Sequence, residues 1–159
     1  MCLKYDIYGS AMRLLLRHGA DPCLANAEGL TLLHIICKEE LDDFDLVEMI
    51  FKICDEKHRP VQVDAQDNYG NTLLHLALER CHTRTTVSLL MRGADPSVVG
   101  STPLHAICLK KYDSDAAKSF FEICDKRKRT VLVDAKDHSD LTPLQRAVAN
   151  SLPHVVTRS

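Results

Sequence analysis

Two histidine–cysteine pairs have the residue types and spacing that best suit metal chemistry. His34 precedes Cys37, and His105 precedes Cys108, by three positions, which is close to one helical turn. A structural zinc site takes four such ligands in tetrahedral reach, and the sequence contains neither C-x-x-C nor H-x-x-x-H to complete a set. We therefore expect no metal and no cofactor, with the histidines capping helices and the cysteines filling small buried positions.

Nucleophilic catalysis has no local signature in the sequence. There is no G-x-S-x-G turn, which would expose a catalytic serine, and no G-x-x-x-x-G-K loop, which would hold a phosphate. Histidine instead returns as His34, His75 and His105 within the same short box, whereas a catalytic base would occur in one place. We therefore expect a protein that is not an enzyme.

Composition and charge describe a globular chain with a weak electrostatic field. The 159 residues are 45% hydrophobic, and 20 Lys and Arg against 22 Asp and Glu leave a net charge of -2. This balance excludes the strongly basic surface of a nucleic-acid binder, and aliphatic runs such as residues 14–16 are too short to cross a bilayer. We expect a monomer that contacts neither nucleic acid nor membrane.

The cysteines indicate a reducing compartment. There are seven, an odd number, and the two nearest in sequence, Cys23 and Cys37, are 14 residues apart. Without a basic and apolar leader, this favours free thiols and an intracellular, cytoplasmic location. The basic run at residues 126–129 leaves a nuclear location or an acidic partner open, although cations at a helix end also have a purely structural explanation.

A short box of sequence occurs four times. T-x-L-H, with Gln for His in the last copy, begins at Thr31, Thr72, Thr102 and Thr142. The successive spacings are 41, 30 and 40 residues, so long and short units alternate. A second box, G-A-D-P, occupies residues 19–22 and 93–96, and F-x-I-C-D occupies residues 51–55 and 121–125. Self-similarity with this order indicates a repeat protein in which a two-repeat unit has been duplicated.

Each box has a physical role in a pair of helices. The threonines can cap first helices, Pro103 and Pro143 suit the first helical position, and Gly19 and Gly93 suit the end of a second helix. Second helices are expected at residues 10–18 and after Asp43, His82 and Asp113, and those after Asp43 and Asp113 should be equivalent and longer than the one after His82. Apolar residues recur at helical spacing at Leu46, Val47, Ile50, Phe51 and Cys54, and again at Ala116, Ala117, Phe120, Phe121 and Cys124.

The order of these boxes resembles the ankyrin-repeat family. G-A-D, a turn, G-x-T-P-L-H and small apolar residues follow one another over nearly the whole chain, although Cys81 stands where the family usually has Gly between the two helices. The resemblance implies an all-α solenoid of helix-turn-helix units with hairpin-like fingers. Its long inserts are similar to those of large arthropod and poxvirus-type ankyrin proteins, and the chain has the pattern of a fragment of a longer array.

The resemblance also predicts how the chain divides. The expected units of one ankyrin domain over residues 1–159 are a partial repeat at 1–25, a long repeat at 26–66, a short repeat at 67–97, a long repeat at 98–136 and a partial repeat at 137–159. The inserts at residues 57–60 and 126–130 should project from the ends of the second helices as a separate, more mobile contact region.

In ankyrin proteins the fingers and first helices form a concave surface that binds a partner protein. Carried over residue by residue, this predicts a protein-binding surface made of Glu28, Lys38, Glu39, Asn68, Tyr69, Asn71, Leu76, Glu79, Arg80, Leu109, Lys110, His138 and Arg146. Tyr69 and Arg80 have the residue types that most often dominate binding energy. The alternative is a structural spacer within a longer array. The sequence leaves open the identity of the partner and a role as a ubiquitin-ligase adaptor.

Overall fold

The computed structural model describes residues 2–97, 102–108 and 114–151, and for residues 2–8, 114–116 and 151 it describes the backbone alone. Within these ranges the chain is helical, and its helices are α1 (Cys2–Arg17), α2 (Leu32–Lys38), α3 (Phe44–Glu56), α4 (Leu73–Glu79), α5 (Thr83–Met91), α6 (Pro103–Cys108), α7 (Ser114–Lys126) and α8 (Pro143–Ser151). Extended pairing among the described residues is limited to one isolated bridge, between Gln66 and Thr72 in a finger.

The helices form two stacked layers. The first helices α2, α4, α6 and α8 pack in chain order, and so do the second helices α1, α3, α5 and α7. Within a unit, α4 packs on α5 and α6 packs on α7. This is the all-α solenoid that the repeats predict, and it buries one continuous core across neighbouring units.

The predicted first helices begin where the T-x-L-H boxes place them. Thr31 and Thr72 are the N-cap residues of α2 and α4, and α6 and α8 begin at Pro103 and Pro143. A proline at the first helical position gives up no hydrogen bond, since that N–H has no partner in a helix. The alternation of second helices is also confirmed, because α3 and α7 have 13 residues each and α5 has 9.

The N-terminal helix α1, which is a second helix in the repeat pattern, is longer than the sequence predicts. The sequence predicts a helix from Ser10, but α1 runs from Cys2 to Arg17. Residues 2–9 contain no proline, and Gly9 inside a helix costs only about 1 kcal/mol. Nothing in this stretch therefore forces the helix to start later, and no T-x-L-H box marks a separate first helix there.

Most of the predicted apolar positions in the two long units lie in the core, but Phe121 is partly exposed. Ile50, Phe51 and Phe120 have at most 1% of their surface exposed. Phe121, which occupies the position of Phe51 in the second long unit, is 39% exposed. Among the described residues, no second helix comes after α7 to cover it.

Cys81 lies in the left-handed backbone region, with φ at +60°, between α4 and α5. A side chain at positive φ is strained, and the family's usual glycine at this place has no such cost. We expect Cys81→Gly to raise the free energy of unfolding by about 0.5–1 kcal/mol, measured by urea denaturation. Cys81→Ala keeps the strain and should not stabilise the protein. A stabilisation that is equal in the two variants would contradict this explanation.

None of the helices that the structure describes is long and apolar enough to span a membrane.

Candidate functional site

Three finger tips are held by the same hydrogen-bond pattern. Asp67 Oδ1 accepts from the backbone N–H groups of Tyr69 and Asn71, each at 2.9 Å. The equivalent acceptors are Asn26, with Glu28 and Leu30, and Asp137, with Ser139 and Leu141. One short polar side chain thus closes each tip as a backbone turn would. These turns fix the backbone of the residues at the finger tips.

Neighbouring fingers are joined directly. The Asn68 backbone N–H donates to the carbonyl of Glu28 at 3.0 Å, and its Nδ2 donates to the carbonyl of Ala27 at 2.9 Å. Gly29 makes this approach possible, because a Cβ on it would lie 2.6 Å from Asn68 Oδ1 and 2.8 Å from Asn68 N. The first two fingers therefore form one connected surface, and Asn68 helps to build it.

Two of the box histidines, His34 and His105, join their first helix to the next unit. His34 Nδ1 lies 3.2 Å from the Thr31 backbone nitrogen, and His34 Nε2 lies 3.1 Å from the carbonyl oxygen of Ala65. His105 repeats the arrangement, with Thr102 at 3.1 Å and the Leu141 carbonyl at 2.9 Å. These contacts span 31 and 36 residues, so each histidine connects two units of the stack.

The hydrogen bonds define the charge state of His34. Its Nδ1 accepts from a backbone N–H and so carries no proton, which leaves Nε2–H to donate to Ala65. Burial lowers the pKa of this imidazole, and the Ala65 bond and the charge of Asp67 oppose the shift only in part. His34 is therefore a neutral structural residue, as its recurrence in the sequence indicates.

In the last unit, Gln145 takes the capping role of the box histidines, and Arg146 binds the carboxylate that shapes the finger. Gln145 Oε1 accepts from the Thr142 N–H at 2.9 Å and the Gln145 N–H donates to Thr142 Oγ1 at 3.3 Å, so the two residues form a capping box. Arg146 Nε donates to Asp137 Oδ2 at 2.9 Å, and Arg146 Nη2 bonds to the same oxygen. Burial opposes ionisation of Asp137, but the bonds from Arg146, Ser139 and Leu141 hold its pKa below the usual range. Arg146 therefore anchors a finger, and is not a free contact residue.

Leu76 must be removed from the predicted surface. Its side chain is 4% exposed, because α4 has a first helix on both sides, α2 and α6. Ile35, at the same place in α2, is 43% exposed, because no described first helix covers the other side of α2. The prediction was wrong because the exposure of this position depends on the neighbouring units, which the local sequence does not encode.

Asn71 is half-buried, and its Nδ2 donates to Asp67 Oδ2 at 3.2 Å, so it too supports its finger. Leu109 and Lys110 lie outside the described residues. The remaining predicted residues have exposed side chains, and we call them the finger-and-helix surface: Glu28, Lys38, Glu39, Asn68, Tyr69, Glu79, Arg80 and His138. Tyr69, with 76% of its surface exposed at a finger tip, is the most prominent apolar group of this set.

Comparison with known proteins agrees with this geometry. A family model of three ankyrin repeats matches residues 2–99, which is more than half of the chain. The chain belongs to the ankyrin-repeat family. Two Variola virus proteins, both named ankyrin repeat protein OPG189, are each 29% identical to it over 114 residues. The match covers 67% of this chain but only 19% of each relative, and it supports the predicted likeness to poxvirus ankyrin proteins.

The residues that shape the ankyrin fingers are not among those predicted from the sequence. Asn26, Asp67 and Asp137 each lie five positions before a box threonine, and this constant spacing was the signal that could have revealed them. Asp42 was also not predicted, and its Oδ2 accepts from the Arg84 N–H at 3.1 Å at the start of α5. That acceptor comes from the preceding unit, so no pattern near α5 could have predicted it.

Two deeply buried thiols are poorly suited to chemistry. The six cysteines whose side chains the structure describes form no disulfide, and Cys37 and Cys124 are each 1% exposed. Burial raises the pKa of the Cys37 thiol to about 12 and that of Cys124 to about 11, so neither forms a nucleophilic thiolate near neutral pH. Among the residues that the structure describes, no three His, Cys, Asp or Glu side chains are grouped to hold a metal ion.

The two inserts contact the preceding unit, although the sequence predicted a separate projecting region. Arg59 Nη1 donates to the Gly19 carbonyl at 3.1 Å, and Arg129 Nη2 donates to the Gly93 carbonyl at 3.4 Å. Arg127 Nη2 lies 3.1 Å from the Met91 sulfur. Part of the basic run thus packs against a neighbouring repeat, which favours the structural explanation of its charges.

Proposed function

We propose that this chain is a non-enzymatic protein-binding module, acting inside the cell, which holds its partner on the finger-and-helix surface. Ankyrin repeats generally mediate protein–protein interaction, which supports the general role. The observation that carries the specific proposal is the position of Tyr69. It is 76% exposed, yet its backbone is fixed by the Asp67 turn in a finger that is bonded to its neighbour.

Such a surface loses little conformational entropy on binding. Ordering flexible side chains and loops at an interface opposes association, and a backbone already held by hydrogen bonds avoids much of this cost. Tyrosine adds a large contact area with few rotatable bonds. Tyr69 can therefore act as an anchor around which more adaptable charged side chains make secondary contacts.

The charges on this surface suit a protein partner. The surface contains Glu28, Glu39 and Glu79 together with Lys38 and Arg80. Mixed charges favour complementary pairing with another protein surface and do not produce the basic field that phosphate backbones require. The partner should therefore present both acidic and basic side chains around an apolar recess for Tyr69.

We expect the double substitution Tyr69→Ala and Arg80→Ala to weaken partner binding by about 1–3 kcal/mol or more, because these residue types supply most of the energy of an interface. The partner is first isolated by affinity capture with the full chain and identified. Its affinity for each variant is then measured by titration calorimetry. Both substituted side chains are exposed, so the helical content should not change.

The matched control is the double substitution Arg127→Ala and Lys128→Ala, in the turn just after the second helix α7. It should alter mainly the salt dependence and the association rate. If this control abolishes binding while the Tyr69 and Arg80 variant binds normally, the site lies at the ends of the second helices. If neither variant binds less tightly, other residues hold the partner and the finger-and-helix surface is not the site. If the full chain captures no partner, the spacer alternative gains support.

A further inference from the structure

The basic run at residues 126–129 carries more positive charge than the equivalent turn of the first long unit. That turn, residues 56–59, has the sequence E-K-H-R, and its two cations hold the preceding unit. Lys57 and Arg59 donate to backbone carbonyls of that unit at 2.6 Å and 3.1 Å. The second long unit has the sequence K-R-K-R at the same place. Its extra cations therefore have no counterpart in the structural role of this turn.

Longer and softer contacts hold the second copy of the turn. Arg129 Nη2 is 3.4 Å from the Gly93 carbonyl oxygen, and Arg127 Nη2 contacts the Met91 sulfur at 3.1 Å. The ion pairs found among the described side chains include none of the four cations of the run. The side chains of residues 125–130 are all exposed. The charges of the run are therefore accessible to another protein.

A threonine hydroxyl follows the run directly. Thr130 is exposed, as is Pro60, which occupies the same place in the first long unit and carries no hydroxyl. The backbone carbonyl of Thr130 accepts from Ser97 Oγ at 2.5 Å, so the main chain of Thr130 makes this contact with the preceding unit. Residues 129–132 belong to neither a helix nor a turn. The hydroxyl can therefore be modified without removing that contact.

The charges before this hydroxyl have the pattern of a kinase substrate. Kinases that select basic substrates present carboxylates to the residues that precede the hydroxyl, and a guanidinium can pair with a carboxylate through two parallel hydrogen bonds. Arg127 lies three positions before Thr130, and Lys128 lies two positions before it. The sequence R-K-R-T thus combines a directing arginine, a second cation and an accessible hydroxyl.

The same arginine spacing occurs at one other place, and the structure distinguishes the two. Arg80 lies three positions before Thr83, but Thr83 is the first residue of α5. A kinase must draw the residues around the hydroxyl into its cleft to align the oxygen with the γ-phosphate of ATP. At Thr83 this would unwind the start of a helix, whereas at Thr130 the chain is already outside the helices.

The turn before Thr130 also favours extension of the segment. Lys128 has φ of +51°, in the left-handed region, where a residue with a side chain is strained. Drawing the segment into an extended form in a kinase cleft relieves this strain. The relief offsets part of the loss of the contacts that Arg127 and Arg129 make with the preceding unit.

We propose that Thr130 is a phosphorylation site for an arginine-directed serine/threonine kinase. Thr130 Oγ1 attacks the γ-phosphorus of ATP, the bond from that phosphorus to the bridging oxygen breaks, and ADP leaves with the electron pair. The hydroxyl proton passes to the catalytic aspartate of the kinase. The phosphate adds a charge of about −1.5 to −2, which offsets roughly half of the positive charge of the run. The proposal involves no residue of the finger-and-helix surface and is independent of the binding function proposed above.

The test treats the full chain with magnesium ATP and the catalytic subunit of cAMP-dependent protein kinase, which selects arginine three positions before the hydroxyl. Fragmentation mass spectrometry then locates the phosphate. We expect a phosphate on Thr130 and none on Thr83. Thr130→Val keeps the shape of the side chain without the hydroxyl, and in this variant incorporation should fall to background.

Arg127→Ala should lower kcat/KM for phosphorylation of Thr130 by about tenfold or more, because the pair between its guanidinium and a kinase carboxylate is lost. Lys126→Ala is the matched control, since it removes a cation of the same run from outside the R-x-x-T spacing, and its effect should be much smaller. All three substituted side chains are exposed, so each variant should keep the circular dichroism spectrum of the natural chain.

The proposal is overturned if the kinase places no phosphate on Thr130, or if it modifies Thr83 in place of Thr130. It is also overturned if Arg127→Ala is phosphorylated as efficiently as the natural chain. Equal losses in Arg127→Ala and Lys126→Ala would count against it too, because they would show a response to net charge with no selection of the arginine.

Discussion

Phe51→Ala should lower the free energy of unfolding by about 3–5 kcal/mol, whereas Phe121→Ala should lower it by about 1 kcal/mol or less. The two phenylalanines occupy the same place in the duplicated F-x-I-C-D box, but Phe51 is 1% exposed and Phe121 is 39% exposed. Removing Phe51 leaves a cavity in the packed core and also removes the ring on which Arg92 lies. Removing Phe121 deletes a side chain that already meets water.

The comparison is made by urea denaturation of both variants at low protein concentration, with the slope of free energy against urea checked for equality. Phe51→Leu and Phe121→Leu serve as controls, because leucine keeps most of the apolar volume. Each leucine variant should lower the free energy of unfolding by less than the corresponding alanine variant. Equal losses of unfolding free energy for Phe51→Ala and Phe121→Ala would mean that the two phenylalanine rings are buried alike in solution, contrary to the structure.

The same pair shows how much of the fold the sequence determines. Helix starts follow from local chemistry, and the T-x-L-H boxes therefore located α2, α4, α6 and α8. Burial is different, because in a stacked array it depends on whether a neighbouring unit is present. Phe51 and Phe121 both begin an F-x-I-C-D box, and that shared pattern could not predict that one is covered and the other is not.

The candidate surface was predictable to a similar extent. Tyr69 and Arg80 were located from the family resemblance, and both side chains are exposed. Leu76 and Arg146 were misjudged for two different reasons. The first is covered by helices on both sides, and the second is bound to a carboxylate nine residues away. Contacts between units and between a finger and its helix are tertiary, and spacing within one repeat does not report them.

His34→Ala should lower the free energy of unfolding by about 2–4 kcal/mol. The substitution leaves the Thr31 N–H and the Ala65 carbonyl without the partners they have in the structure, and a buried polar group that loses its partner costs about 1–3 kcal/mol. His34 is also 0% exposed, so alanine leaves a space in the core. His138→Ala, at an exposed finger tip, is the matched control and should be nearly neutral.

His34→Gln separates the two hydrogen bonds. Gln145 already performs the capping role in the last unit, where its Oε1 accepts from Thr142 at 2.9 Å. Glutamine at position 34 should therefore keep the bond to Thr31 and lose the one to Ala65. We expect its stability, measured by urea denaturation, to lie between those of the natural chain and His34→Ala. A glutamine variant as unstable as the alanine variant would assign the whole effect to the contact between units.

The same histidine should make the fold sensitive to acid. Burial lowers the pKa of His34 in the folded state below its ordinary value of 6.5, so the unfolded chain takes up a proton there more readily than the folded chain. The stabilising contribution of the neutral ring is fully present above pH 6.5, decreases as the pH falls below 6.5, and levels off below the folded-state pKa. The slope that one such group contributes is at most about 1.4 kcal/mol per pH unit. The informative quantity is the difference in free energy of unfolding between the natural chain and His34→Gln, followed by urea denaturation at successive pH values. That difference should shrink as the pH is lowered below 6.5, and a difference that stays constant would show that His34 takes up its proton equally well in the folded protein.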